Sequence, residues 1–214
     1  MSLTLPSLDC TLCERLCAFR AENRKKFPHY HNSPVEPFGK LSAEILVVGL
    51  APGLNGANQT NRPFTNDYAG DILYPILKSY GLAQGTYQKR KDDGFELINV
   101  RVTNAVRCVP PQNKPTGIEE KTCRKFLTEE ISSMPNLKVI LSLGGISHKN
   151  VLQALGYKQS YAKFRHGAVY DLICNNTPLK LIDSYHTSRY NINTGVLTYE
   201  MFEKIILQVK GLIK

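Results

Sequence analysis

Three groups of side chains in this sequence have types and spacings suited to chemistry: an aspartate in a long polar loop, a histidine just past an apolar run, and six cysteines. Asp67 closes the polar part of residues 44–74, EILVVGLAPGLNGANQTNRPFTNDYAGDILY, and follows Phe64 by three positions. The other polar groups of that stretch are amides, Asn55, Asn58 and Asn61 among them. Amides, one carboxylate and an aromatic ring suit a flat heterocycle and a water. They do not suit a nucleotide phosphate: a P-loop needs a Gly-Lys-Ser/Thr end and a dinucleotide fold a compact G-x-G-x-x-G, and neither occurs here. His186 lies in Asp183-Ser184-Tyr185-His186-Thr187-Ser188-Arg189-Tyr190-Asn191, directly after an apolar run. Cys10, Cys13 and Cys17 stand at i, i+3 and i+7, which puts three thiols on one face of a helix. Such a row serves equally as metal ligands or as a small apolar seam, because free cysteine packs as a hydrophobe.

These groups need elements to position them. Ile45 to Val48 is β-branched enough for a buried strand, about fourteen residues of turn chemistry follow, and helical spacing returns at Ile72, Leu73, Ile76 and Leu77. Further strands are expected at Leu97 to Val106, ended by Pro110-Pro111, at Leu137 to Leu143, and at Leu179 to Ile182, with an edge strand at Ala168 to Cys174. Helices are expected at residues 5–27, 116–131 behind the capping box Thr116-x-x-Glu119, 146–155 and 198–214. Strands alternating with helices indicate a doubly wound, mostly parallel sheet in three layers. Loops 49–67 and 183–195 then leave the same, ligand-binding edge of the sheet, where Asp67 and His186 can meet. No repeat or linker divides residues 1–214, so one domain is expected.

The charge balance narrows the partners. There are 27 Lys and Arg against 18 Asp and Glu, a net charge of +9, which favours a polyanionic partner or serves solubility alone. No apolar run approaches the roughly 20 residues of a membrane span, and no basic-then-apolar leader opens the chain. A cytoplasmic protein without membrane association is expected. Its cysteines would be reduced, hence ligands or core rather than disulfides.

Several separated motifs together resemble one family, the uracil-DNA glycosylases, and most closely their iron–sulfur type called family 5. Gly49-Leu50-Ala51-Pro52-Gly53, followed by Asn58, Arg62, Phe64-Thr65, Asp67 and Gly70, is similar to its first motif. Thr103-Asn104-Ala105-Val106-Arg107-Cys108 with Pro110-Pro111 and Asn113-Lys114-Pro115 is similar to its middle segment, and Ser184-Tyr185-His186 with Ser188, Asn191 and Thr194-Gly195 to its last. The resemblance implies a three-layer α/β/α fold around a four-stranded parallel sheet, with an N-terminal cluster-binding segment 1–43 packed on it. It implies excision of uracil from DNA by a monofunctional enzyme; a monomer is expected. Two departures stand out: Thr187 replaces the proline usual after the histidine, which would loosen the turn that aims His186, and Leu50 stands where the related family 4 has glutamate. A non-catalytic iron–sulfur DNA-binding protein of the same fold is the alternative these departures raise.

The resemblance also implies roles. A flipped base would sit among Gly49, Ala51, Gly53 and Phe64, with the ring of Phe64 stacked on it and the amide of Asn104 reading its edge. His186 would donate to the oxygen on which negative charge grows as the base departs. Asp67 would orient the water, with the capping of a helix as its other explanation. Asn58, Ser188, Arg189 and Tyr190 would contact DNA. Cys10, Cys13, Cys108 and Cys123 would hold one [4Fe–4S] cluster, the thiolates stabilised by Arg15, Arg107 and Arg124. Zinc is the competing metal, but it favours two C-x-x-C knuckles, and the second pair here is spaced C-x14-C. Cys17 and Cys174 fall outside that set and are expected in the core.

Overall fold

The computed structural model describes residues 3–213. Residues 1, 2 and 214, the extremes of the expected N-terminal segment and closing helix, lie outside the described residues. In chain order the elements are α1 (Glu14–Lys26), β1 (Ile45–Gly49), α2 (Ala57–Thr60), α3 (Tyr68–Ser79), β2 (Ala83–Gln84), β3 (Glu96–Leu97), β4 (Val100–Asn104), α4 (Gly117–Ser132), β5 (Val139–Leu143), α5 (Gly145–Ala154), β6 (Val169–Cys174), β7 (Thr177–Ser184), α6 (Arg189–Asn193) and α7 (Tyr199–Leu212).

β1 is buried along its whole length, which explains why it reads as a continuous apolar run rather than an alternating one. It pairs in parallel with β4 on one side and β5 on the other. The side-chain period of two then divides the core: Ile45 and Val47 pack with Ile72, Leu73, Phe202 and Ile206 of α3 and α7, while Leu46 and Val48 pack with Leu127, Ile131, Val151 and Leu152 of α4 and α5. That is the expected three-layer arrangement.

The sheet runs β4-β1-β5-β7-β6. Four strands are parallel, as expected, but β6 adds a fifth, antiparallel to β7. Asn175 and Asn176, both in the left-handed region, make the tight turn between them. The strand expected from Leu97 to Val106 is broken in two: Asn99 turns left-handed at φ 56° and its side chain accepts the Glu44 N–H at 2.8 Å. Past the end of β4 the chain stays tied to β1, because Ala105 N–H donates to Gly49 and Val106 N–H to Leu50.

The N-terminal helix is shorter than expected. α1 begins at Glu14 with Cys13 as its N-cap, and Cys10 lies ahead of it in a turn closed by its N–H to Ser7. The three thiols therefore do not share a helical face; only Cys17 is helical. α1 rests on a small apolar patch of Leu16, Val106, Cys123 and Phe126. α4 starts at the predicted capping box, with Thr116 accepting the Glu119 N–H and Glu119 accepting the Thr116 N–H, and this fixes Cys123 two turns in.

Candidate active site

The four parallel strands end on one edge, and the loops beyond them enclose a cavity of about 460 Å³. β1 and its loop contribute Leu50, Ala51, Gly53, Phe64 and Asp67, β4 contributes Asn104, β5 leads to Gly144 and Ser147, and β7 leads to His186. The expected meeting of Asp67 and His186 occurs here, with Phe64 and Asn104 in the same wall. In a doubly wound sheet this is the ligand-binding crevice, where the chain crosses from one face of β1 to the other.

Gly49 explains how ring and amide come together. It pairs with Asn104 across the sheet, and a Cβ at this position would lie 2.4 Å from Phe64 Cζ and 2.5 Å from Asn104 Oδ1. Only a residue without a side chain lets both groups reach the cavity floor. Asn104 itself is buried and lines the cavity. A buried amide costs free energy unless a partner is found, so it is matched to a ligand with one donor and one acceptor.

His186 faces Phe64, ring centroids 6.0 Å apart. Burial lowers its pKa to about 4, so at neutral pH the ring is uncharged and offers one N–H. Asp183, three residues earlier, is buried and pairs with His148 Nδ1 and Ser142 Oγ, which fixes the end of β7. Thr187 does not loosen the turn as expected: it is buried and its Oγ1 donates to the Ala69 carbonyl at 3.3 Å, bonding the His186 loop to the first turn of α3. Asn191 Nδ2 donates to the His186 carbonyl.

Asp67 is at once N-cap and wall. Its Oδ1 accepts the Gly70 N–H at 2.8 Å, while Oδ2 lies beside Gly56, where a Cβ would come within 3.1 Å of it. Burial raises its pKa, against the Gly70 N–H that lowers it. Both explanations of Asp67 thus have a structural counterpart on the same carboxylate. The loop before it is held by Tyr87, whose hydroxyl donates to the Phe64 carbonyl and accepts the Asn66 N–H, each at 3.2 Å. Phe64 and Asn66 are both left-handed, φ 51° and 61°, so this one hydroxyl braces two strained residues. Gly70 allows the close approach, since a Cβ there would overlap the Phe64 carbonyl. Beneath the loop, buried Arg62 pairs with Asp93 at 2.8 Å within a shell of Phe38, Tyr74, Tyr87 and Phe95.

The residues expected to contact DNA separate. Arg189 is exposed and lines the cavity, over the ring of Tyr68, and Tyr190 next to it is exposed. Ser188 lines the cavity but also caps α6 by accepting the Asn191 N–H. Asn58 corrects the expectation of a surface contact: it is buried, and its Nδ2 donates to Asn32 Oδ1 at 2.9 Å, joining α2 to the segment after α1. Sequence inspection missed Gly144, Ile146 and Ser147, which also line the cavity. The signal was Gly144-Gly145 directly after a strand, where backbone can approach a ligand closely.

The cysteines gather elsewhere. Cys10, Cys13, Cys108 and Cys123 surround one pocket beneath α1, and Cys17 joins them. Among the described residues, no three or more of His, Cys, Asp and Glu are placed so as to hold a single metal ion. Burial pushes the Cys13 thiol up to about 11 and that of Cys108 to about 12, with Cys123 adding to both, so a guest taking them as thiolates must bring positive charge. The donor set suits an iron–sulfur cluster in chemistry, and the buried guanidinium groups around it point the same way: Arg107 Nε and Nη1 lack acceptors, and Arg20 reaches Cys108 Sγ at 4.0 Å. The expected helpers Arg15 and Arg124 are engaged with Glu119 and Asn150 instead. Cys174 is on β6, away from this pocket.

Comparison with known proteins agrees with this geometry. The model of a family described as the uracil DNA glycosylase superfamily matches residues 36–210. The chain is 42% identical over 208 residues to a protein of Thermus thermophilus named Type-5 uracil-DNA glycosylase, covering 95% of this chain and 93% of the relative. A protein of Pyrobaculum aerophilum with the same name is 36% identical over 203 residues, 93% of this chain and 87% of the relative. The corresponding Mycobacterium tuberculosis protein is 35% identical over 211 residues, 95% of this chain and 78% of the relative. Cavity, motifs and relatives converge: the chain belongs to the uracil DNA glycosylase superfamily, on its type-5 side.

Proposed function

We propose that this protein hydrolyses the N-glycosidic bond of uracil in DNA and leaves an abasic site. The observation that carries the proposal is the single cavity in which Phe64, Asn104, His186 and Asp67 meet at the carboxyl edge of the sheet. A base taken out of the stack enters it, lies on the Phe64 ring over Gly49, and presents its O4 and N3–H to the Asn104 amide. As the bond to the sugar lengthens, negative charge collects at O2. The neutral His186 imidazole donates to that oxygen and stabilises the transition state more than the ground state. Asp67 serves the other half of the reaction: Oδ2 orients water toward the anomeric carbon, and the carboxylate favours the positive charge on the sugar. Arg189 and Tyr190, both exposed, hold backbone phosphate and fill the gap in the duplex.

Leu50 gives the cavity an apolar wall without a second acid, so hypoxanthine and xanthine are further candidate substrates. Cys10, Cys13, Cys108 and Cys123 would hold a [4Fe–4S] cluster, which when bound cross-links the segment before α1 to α4 and takes no part in hydrolysis. The protein acts as a monomer.

The test is single-turnover release of free uracil from a defined duplex. Parent protein should release it, and His186→Ala should do so roughly 10² times more slowly with DNA affinity little changed, the scale for losing one donor to developing charge. No release by the parent would instead favour the non-catalytic DNA-binding protein.

A further inference from the structure

Among the described residues four arginines are buried, and three of them have acids. Arg62 pairs with Asp93, and Arg101 and Arg107 share Glu130. Arg20, on α1, is 7% exposed and among the described residues has no carboxylate partner. Its Nη2 donates to the Cys10 carbonyl at 2.8 Å and lies 3.7 Å from Cys17 Sγ, and its Nη1 lies 4.0 Å from Cys108 Sγ. Arg107 lines the same pocket, with Nε and Nη1 buried and without acceptors.

A buried cation without a counter-charge is costly, by several kcal/mol per ion even after relaxation. Of the two guanidinium groups that line this pocket, Arg107 shares Glu130 with Arg101 and Arg20 has no acid among the described residues, so positive charge is in excess there, while Arg15 and Glu119 cancel each other. An oxidised [4Fe–4S] core carries two positive charges and four thiolates carry four negative ones, so the bound group is a dianion. Its negative charge opposes that excess, and its sulfurs are acceptors for the unpartnered N–H groups.

We propose that Arg20 is the charge-compensating residue of the cluster site: its guanidinium bonds the Cys108 thiolate and the Cys10 carbonyl together, and so fixes how firmly the cluster is held and at what potential it is reduced. Arg20 is a positioning residue for the cofactor and has no part in base excision. Cys17 is a hydrogen-bonding neighbour whose Sγ accepts from Arg20 and donates to the Cys10 carbonyl, not a fifth ligand. The inference rests on the cluster assignment above.

The test uses anaerobically purified holoprotein of the parent, Arg20→Lys, Arg20→Gln and Cys17→Ala, with iron per chain, the rate of cluster bleaching in air with chelator, and the midpoint potential as readouts. Removing a positive charge disfavours the more negative reduced cluster. Arg20→Gln should therefore lose its cluster at least tenfold faster and shift its redox equilibrium about tenfold toward the oxidised form, about 59 mV for one electron. Arg20→Lys, which keeps charge but not the fork, should fall between, and Cys17→Ala should match the parent. Parent-like bleaching and potential in Arg20→Gln would overturn the role of Arg20. Should that variant fail to fold, a parent-like bleaching rate in Arg20→Lys overturns it instead. Absence of iron from the parent overturns the cluster assignment itself, a distinct failure.

Discussion

Adding one methyl group to Gly49 probes the base site without removing any polar group. The new Cβ would lie 2.4 Å from Phe64 Cζ and 2.5 Å from Asn104 Oδ1, against 3.4 Å where contact becomes ordinary. Relief requires a retreat of about 1.0 Å by the ring and about 0.9 Å by the amide, those differences taken separately. Neither is free to move: the Phe64 carbonyl is bonded by Tyr87, and Asn104 ends a paired strand. Overpacking of this kind costs about 1–3 kcal/mol of stability. A displacement of about 1 Å in a positioning group costs about 10² in rate. Gly49→Ala should therefore remain folded, bind uracil-containing duplex through its phosphate contacts, and excise uracil in single turnover about 10² times more slowly. Gly211→Ala is the control, because its Cβ on α7 would meet nothing within 4 Å and it lies outside the cavity lining, and it should excise at the parent rate. Parent-rate excision by Gly49→Ala, with an unshifted melting temperature, would refute the placement of Phe64 and Asn104 about one base.

The pH dependence of stability should carry the signature of His186. Its pKa is about 4 folded and 6.5 unfolded, so the unfolded chain gains a proton first and stability falls as pH drops through that window, by about 2 kcal/mol between pH 7 and 5. Urea melts of His186→Gln should lack that component; an unchanged pH slope would contradict the burial of a neutral ring. Asp67→Asn should keep the α3 cap, since asparagine caps nearly as well, yet excise about 10² to 10⁴ times more slowly in single turnover, the range for general-base chemistry. Asp67→Ala should add a loss of about 1 kcal/mol in denaturant melts. Tyr87→Phe removes both hydrogen bonds to the Phe64 loop, which should lower stability by about 1–2 kcal/mol and slow excision more than it weakens DNA binding. DNA affinity should fall steeply between 50 and about 200 mM salt, given the +9 charge; a flat titration would exclude phosphate contacts as its main source.

The elements were legible where one local rule decided them. The buried run at β1, the capping box of α4 and the glycines of the first loop each carry their cause within a few residues, and with them the convergence of Asp67 and His186. What escaped depended on contacts distant in sequence. Asn58 looks like any loop amide until Asn32 is seen to take its Nδ2 inside. Tyr87 sits in a polar excursion that signals only exposure, yet its hydroxyl braces Phe64 from 23 residues away. The cysteine periodicity suggested a helix because Cys10, Cys13 and Cys17 fit one, but the turn at Cys10 and the extended backbone of Cys13 place two of them outside it. Arg20 was invisible because nothing in its neighbours marks a buried charge.

One short segment joins the two sites. Asn104 ends β4 inside the base cavity, and Cys108 lies four positions later in the cysteine pocket. Between them Ala105 and Val106 stay bonded to Gly49 and Leu50, and the Arg107 N–H reaches Cys123 Sγ at 3.4 Å. On the other side Val35 N–H donates to the Arg107 carbonyl. Residues 104–108 thus have little freedom at any point, and four residues of extended chain span at most about 14 Å. A cluster bound at Cys108 and Cys123 would pin the far end of a segment whose near end reads the base. Its part would then be structural, to hold the Asn104 amide in place, and the hydrolytic step would be left to the cavity residues.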